Sequence, residues 1–180
     1  MIKNIIPHII FIGGVHGIGK TTFCRKLIQQ LGVDHHSASD LIKRMGEVDH
    51  TVNKHTEDIE ANQDILIKAI SNYIPNDSHS LLDGHFCLLD KSGFVREVPK
   101  STFRKMSAKA FIVLQDNPHD IATRLCHRDG EAPAIDTIAD FQIQELKYSK
   151  QIARHLNIPY MIANPMGNIE PVLAFAKRVL

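Results

Sequence analysis

Gly14-Val15-His16-Gly17-Ile18-Gly19-Lys20-Thr21 constrains this chain more than any other segment. Its spacing is that of a phosphate-cradling loop, G-x-x-x-x-G-K-[ST], and its flanks are the ones such a loop needs. Ile9-Ile10-Phe11-Ile12 is an apolar run of strand length, and Phe23, Leu27 and Leu31 fall four apart, as on one face of a helix. Glycines let successive backbone N–H groups turn inward on a polyphosphate, and the N-terminus of the following helix adds a partial positive charge. In that geometry the run from Gly14 to Thr22 wraps the phosphates, and Lys20 reaches the β- and γ-phosphates. Thr21 offers its hydroxyl to Mg²⁺. The expectation is a nucleoside triphosphate site.

Length and composition fit a single α/β domain over residues 1–180, with 43% hydrophobic residues to build its core. With 21 basic against 20 acidic residues, the chain has no bulk electrostatic reason to coat nucleic acid or an anionic membrane. No apolar run is long enough to span a bilayer. Cys24, Cys87 and Cys126 are odd in number and far apart, which points to a reducing compartment, with the cytoplasm as the default. The 11 histidines show no metal-ligand spacing, and the adjacent pair His35-His36 would face opposite sides of a strand. They are expected at the surface.

Periodicity predicts strands at about 8–13, 33–37, 80–84, 109–115 and 158–163. Helices are predicted at about 19–31, from Ser39, and at about 57–73, 118–127, 137–156 and 169–179. Strands alternating with helices imply right-handed crossovers and a parallel sheet covered on both faces. Asn117-Pro118 reads as a helix cap, Gly32 as a helix stop, and Asp136 as a cap for the long helix. Leu88 to Pro99 reads as a small hairpin or flap. Ligands in such sheets lie beyond the carboxyl ends of the strands, which selects Ser37 to Asp40, Asp83 to His85, Gln115 to Asn117 and Asn164-Pro165.

Asp83 ends the apolar run Ser80-Leu81-Leu82, where a carboxylate gives a triphosphate site its second handle on Mg²⁺. His85 follows and is placed to orient Asp83, metal-bound water or an acceptor. Arg124 and Arg128 share one helical face that ends at Gly130, a place suited to stabilising charge on a transferring phosphoryl group. Lys147, Lys150 and Arg154 form another basic stripe, read either as phosphate contact or as a solvated face. Asn62 and Gln63 fall on the apolar face of the 57–73 helix, where their amides need partners such as a base edge or backbone carbonyls. A switch-type GTPase is disfavoured, because Asn53-Lys54-His55-Thr56 has Thr where a guanine-reading Asp is wanted.

The order of these landmarks resembles the P-loop nucleoside monophosphate kinases, closest to the archaeal-type adenylate kinases and the adenylate-kinase-like small ATPases. Asp83-Gly84-His85 matches the Asp-x-His of that group. The resemblance implies a three-layer P-loop NTPase fold: a five-stranded parallel sheet, helices on both faces, an acceptor-binding segment at about 38–73 and a short lid at about 126–136. It implies ATP and Mg²⁺ as cofactors, with Lys20, Asp83, His85, Arg124 and Arg128 as catalytic residues. Asn164 and Pro165 would lie near the donor adenine, and Asp40, Arg44, Asn62 and Gln63 would bind the acceptor. The acceptor segment departs from the pattern, having no arginine between Glu47 and Asp58, so that Lys43, Arg44 or Lys54 would have to serve. Lys147 also stands where an arginine is expected. The resulting expectation is an ATP-dependent phosphotransferase acting on a small molecule, a nucleoside monophosphate first. The alternative is an ATP-binding or ATPase switch acting with a protein partner. Neither a membrane nor a nucleic-acid partner is expected.

Overall fold

The computed structural model describes residues 7–48, 59–90 and 92–180. Lys54 and the expected start of a helix at 57 lie outside these residues.

β1 (His8–Gly13) runs through the middle of the molecule, and Ile9, Ile10 and Ile12 are wholly buried. A strand covered on both faces needs such a continuous apolar run, because neither face meets water. The phosphate loop leads from it into α1 (Lys20–Leu31), which stops at Gly32 with φ 65°, a left-handed conformation that costs glycine little. β2 (Asp34–Ser37), α2 (Ala38–Val48) and α3 (Ile59–Tyr73) follow, and then β3 (His79–Asp83). The chain next forms an antiparallel hairpin of β4 (Cys87–Leu89) and β5 (Val95–Glu97), with Leu89 opposite Val95. This is the small hairpin anticipated between Leu88 and Pro99. α4 (Lys100–Met106), which the periodicity did not reveal, leads into β6 (Ala110–Leu114). α5 (Pro118–Asp129), α6 (Ile135–Leu156), β7 (Tyr160–Ala163) and α7 (Glu170–Val179) complete the chain.

The main sheet has five strands in the order β2-β3-β1-β6-β7, and every neighbouring pair is parallel. β3 and β6 flank β1, so the ends of three strands converge where the chain turns into the phosphate loop. This is the P-loop kinase-like α/β fold. Phe11, Phe86, Phe103 and Phe111 pack edge to face beneath that point, apart from the stacked pair Phe86 and Phe103 at 5.0 Å. The rings press against the glycines above them. A Cβ at Gly13 would lie 2.3 Å from Phe86, and one at Gly84 would lie 2.9 Å from Phe11.

One local expectation is corrected. The Asn117 side chain caps α5 by accepting from His119 N–H at 2.9 Å, as anticipated, but α6 starts at Ile135, one residue before Asp136. Asp136 therefore lies in the first turn, where its charge favours the helix dipole, and Ala134 is the cap residue. Residues 126–136 are the last turn of α5, five residues of coil at 130–134, and the start of α6. No helix among the described residues is long and apolar enough to cross a membrane.

Candidate functional site

The loop between β1 and α1 borders a cavity of about 600 Å³ that opens at the carboxyl ends of β1, β2 and β3. Its shape rests on glycine. Gly14, Gly17 and Gly19 have φ of 150°, 77° and 98°, all strained for any side chain. A Cβ at Gly17 would lie 2.6 Å from Leu125, whereas one at Gly19 would meet nothing within 4 Å, because that edge faces the open cavity. Val15 and Ile18 are buried and anchor the loop in the core. His16, Gly17, Gly19, Lys20, Thr21 and Thr22 line the opening.

Lys20 is folded back on the loop. Its Nζ donates to the Gly14 carbonyl at 2.7 Å and to the Val15 carbonyl at 3.2 Å. Burial pushes its ammonium down to about 8, and the carboxylates of Glu145 and Asp83 oppose that shift. His85 Nε2 lies 3.4 Å from the same Nζ, and the His85 ring packs on His16 with centroids 4.2 Å apart. Burial, then Lys20 and His16, hold His85 well below the usual histidine range. His16 is lowered to about 4, by burial first and then by Lys20 and Arg128. Both rings are thus neutral beside the cation. The Nδ1 of His85 is buried with no partner among the described residues.

Asp83 ends β3 opposite Ser37 of β2, is 5% exposed and lines the cavity. Its Oδ2 is 2.6 Å from His35 Nε2. That contact corrects the expectation of surface histidines: His85 lines the cavity, His35 is bonded behind it to Asp83, and His36 keeps a buried Nε2 without a partner among the described residues.

Arg124 and Arg128 both line the cavity. Arg124 Nε donates to the Gly17 carbonyl at 2.9 Å and its Nη2 to Asp116 Oδ2 at 2.6 Å, which ties α5 to the phosphate loop. Arg128 is exposed and makes a two-pronged pair with Asp129, at 2.7 and 2.6 Å. Lys147, Lys150 and Arg154 are all exposed, which is the solvated-face reading of that stripe.

The acceptor side divides. Gln63, 8% exposed, lines the cavity among Ile42, Leu66, Leu88, Phe103 and Met106. Asn62 is half-buried outside it, because α3 turns about 100° per residue and only its Gln63–Leu66 side faces inward. Asp40 points to solvent 3.9 Å from Lys43, and the Arg44 guanidinium lies 4.0 Å over the Tyr73 ring, where cation–π attraction holds it away from the cavity. Asn164 Nδ2 donates to Asp116 Oδ1 at 3.2 Å, and the Asn164 side chain accepts from Met166 N–H. Pro165 borders a second cavity of about 280 Å³ against Phe23 and Lys26 of α1.

Sequence reasoning missed Glu145, on α6 and 1% exposed. Its Oε1 accepts from Gly14 N–H at 3.1 Å and Phe86 N–H at 2.9 Å, and its Oε2 from Cys87 N–H at 2.7 Å. It joins the phosphate loop to the corner after β3. Burial pushes its carboxyl up to about 7, against the pull of these donors and of Lys20. The signal was faint: an acidic residue among the buried positions Phe141, Gln142, Tyr148 and Ser149 of an otherwise amphipathic helix.

The family described as an AAA domain matches residues 13–142, a span that runs from the phosphate loop through Asp83 to both arginines. The chain belongs to the AAA domain family. No curated protein is similar to this AAA domain in sequence. Among solved structures, a gluconokinase from Sinorhizobium meliloti 1021 is similar, with a TM-score of 0.54 at 12% identity over 97% of this chain and 91% of that one. At such identity the likeness speaks for the fold, and the AAA domain here has the architecture of the P-loop kinases.

Proposed function

We propose that this protein is a Mg²⁺-dependent phosphotransferase that moves the γ-phosphoryl group of ATP to a small molecule held in the cavity. The observation that carries the proposal is the shared cavity: Lys20, Thr21 and Asp83 border one end, and the largely apolar wall around Gln63 and Phe103 borders the other. A pure ATPase has no need of that second end.

The phosphate loop and the N-terminus of α1 would hold the ATP phosphates, and Lys20 would exchange its loop carbonyls for the β- and γ-phosphates. Thr21 and Asp83 suit Mg²⁺, since the threonine is exposed at the cavity and His35 binds only Oδ2 of the carboxylate. Bound there, the ion would neutralise charge on the phosphates. His85, kept neutral, would accept or donate a hydrogen bond near the transferred group without adding a second cation to Lys20. Arg128 would leave Asp129 to meet the developing charge, and Arg124 would act on the loop's shape through Gly17. Residues 38–73 would form the acceptor side, and 126–136 the lid.

The acceptor expected from sequence was a nucleoside monophosphate, as in adenylate kinases. A second reading, an uncharged acceptor with a ring and hydroxyl groups, is favoured by one observation. Among the described residues, the cations that line the cavity are Lys20, Arg124 and Arg128, all at the phosphate end. The solved structure of similar fold is likewise a kinase by name, a gluconokinase. ADP release from ATP, measured with nucleoside monophosphates, nucleosides and sugars against the rate without acceptor, tests the proposal. At least one acceptor should raise the rate. If none does, the ATPase switch with a protein partner replaces it.

A further inference from the structure

Cys24 of α1, His35 of β2 and Asp83 of β3 come together from three elements, with Sγ, an imidazole nitrogen and a carboxylate oxygen all within 4.8 Å of one another. Cys24 is wholly buried, and His35 and Asp83 side chains are 14% and 7% exposed. We propose that this trio is a three-ligand site for a soft divalent cation of the Zn²⁺ class, placed behind the phosphate cavity and reaching it through Asp83. Sulfur, imidazole and carboxylate together are a zinc donor set, and three protein ligands with one open position is the arrangement of sites that keep an exchangeable fourth ligand.

The geometry needs little change. Around a tetrahedral ion with bonds of about 2.0–2.3 Å, ligand atoms sit roughly 3.3–3.6 Å apart. The His35 and Asp83 atoms, now 2.6 Å apart, would open by less than about 1 Å, and the sulfur would close on them. Asp83 borders the cavity, so the fourth position opens on that side to water or a phosphate oxygen. Coordination releases the Cys24 thiol proton to solvent and leaves a thiolate and a carboxylate to balance the dication. Mg²⁺, which prefers oxygen ligands, does not compete for the sulfur. The proposal rests on these residues alone and stands whether or not the protein transfers phosphate.

Co²⁺ serves as a spectroscopic stand-in for Zn²⁺. Nucleotide-free protein carrying Cys126→Ser, which removes the exposed thiol, is titrated with Co²⁺ and then with Zn²⁺. The expected result is one Co²⁺ per chain with a thiolate charge-transfer band in the near ultraviolet, abolished by added Zn²⁺ and by Cys24→Ala. His35→Gln, which keeps the sulfur and covers the case that Cys24→Ala does not fold, should weaken binding at least about tenfold. No thiolate band, a band that survives Cys24→Ala, or unchanged affinity in His35→Gln would overturn the proposal.

Discussion

Lys20 carries the heaviest part of the account at the residue scale. Its ammonium donates to two loop carbonyls, so phosphates must displace internal hydrogen bonds to capture it. Lys20→Ala should abolish ATP turnover, and the far-UV spectrum of the folded protein should stay as it is. Full turnover in that variant would remove the phosphate loop from the mechanism. Among the described residues Arg128 is held by Asp129 alone, at an exposed site where such pairs contribute little, so releasing it costs little. If Arg128 engages only as charge develops, Arg128→Ala should lower turnover by about 10³-fold or more, with ATP affinity changed far less. Equal losses in both would make it a ground-state contact. The loop and Asp83 were legible in the sequence because their spacing is their chemistry. The pairing of Asp83 with His35 was not, since 48 residues separate them.

Glu145 shows how elements hold the site together. One carboxylate on α6 accepts three backbone N–H groups, and two of its donors, Gly14 and Phe86, belong to the phosphate loop and to the corner after β3. Glu145→Ala would leave those donors buried and unpaired. At roughly 1–3 kcal/mol each, the loss should be about 3 kcal/mol or more, a fall in melting temperature on the order of 10 °C. A pH signature goes with it. Because the folded carboxyl is pushed up from its ordinary 4.5 to about 7, the folded state binds the extra proton between those values. Its contribution is therefore fully present below about pH 4.5 and is lost as pH rises through about 7. The stability of the wild type relative to Glu145→Gln should decline across that window in denaturant titrations; a flat difference would assign the proton elsewhere. The long amphipathic helices and buried strands could be read from periodicity. α4 could not, because seven residues at Lys100–Met106 show too few turns for a period to emerge.

For the whole molecule, the sheet order places β3 and β6 on either side of β1, and that alone brings the loop, Asp83 and α5 to one opening. Alternating strands and helices made a parallel sheet covered on both faces readable in advance, but not the strand order. Of the cavity's second end, the α2 and α3 side lies in the segment expected to bind the acceptor, whereas the parts from the β4–β5 hairpin and α4 were not readable, since no local pattern records their packing. That end separates a phosphotransferase from an ATPase. The fate of the γ-phosphoryl group therefore tests the account most directly: γ-labelled ATP is incubated with the protein, Mg²⁺ and the acceptors described above, and the label is followed. The account predicts label in a phosphorylated acceptor, lost with Lys20→Ala. Label found only in inorganic phosphate, at a rate no acceptor changes, would contradict it.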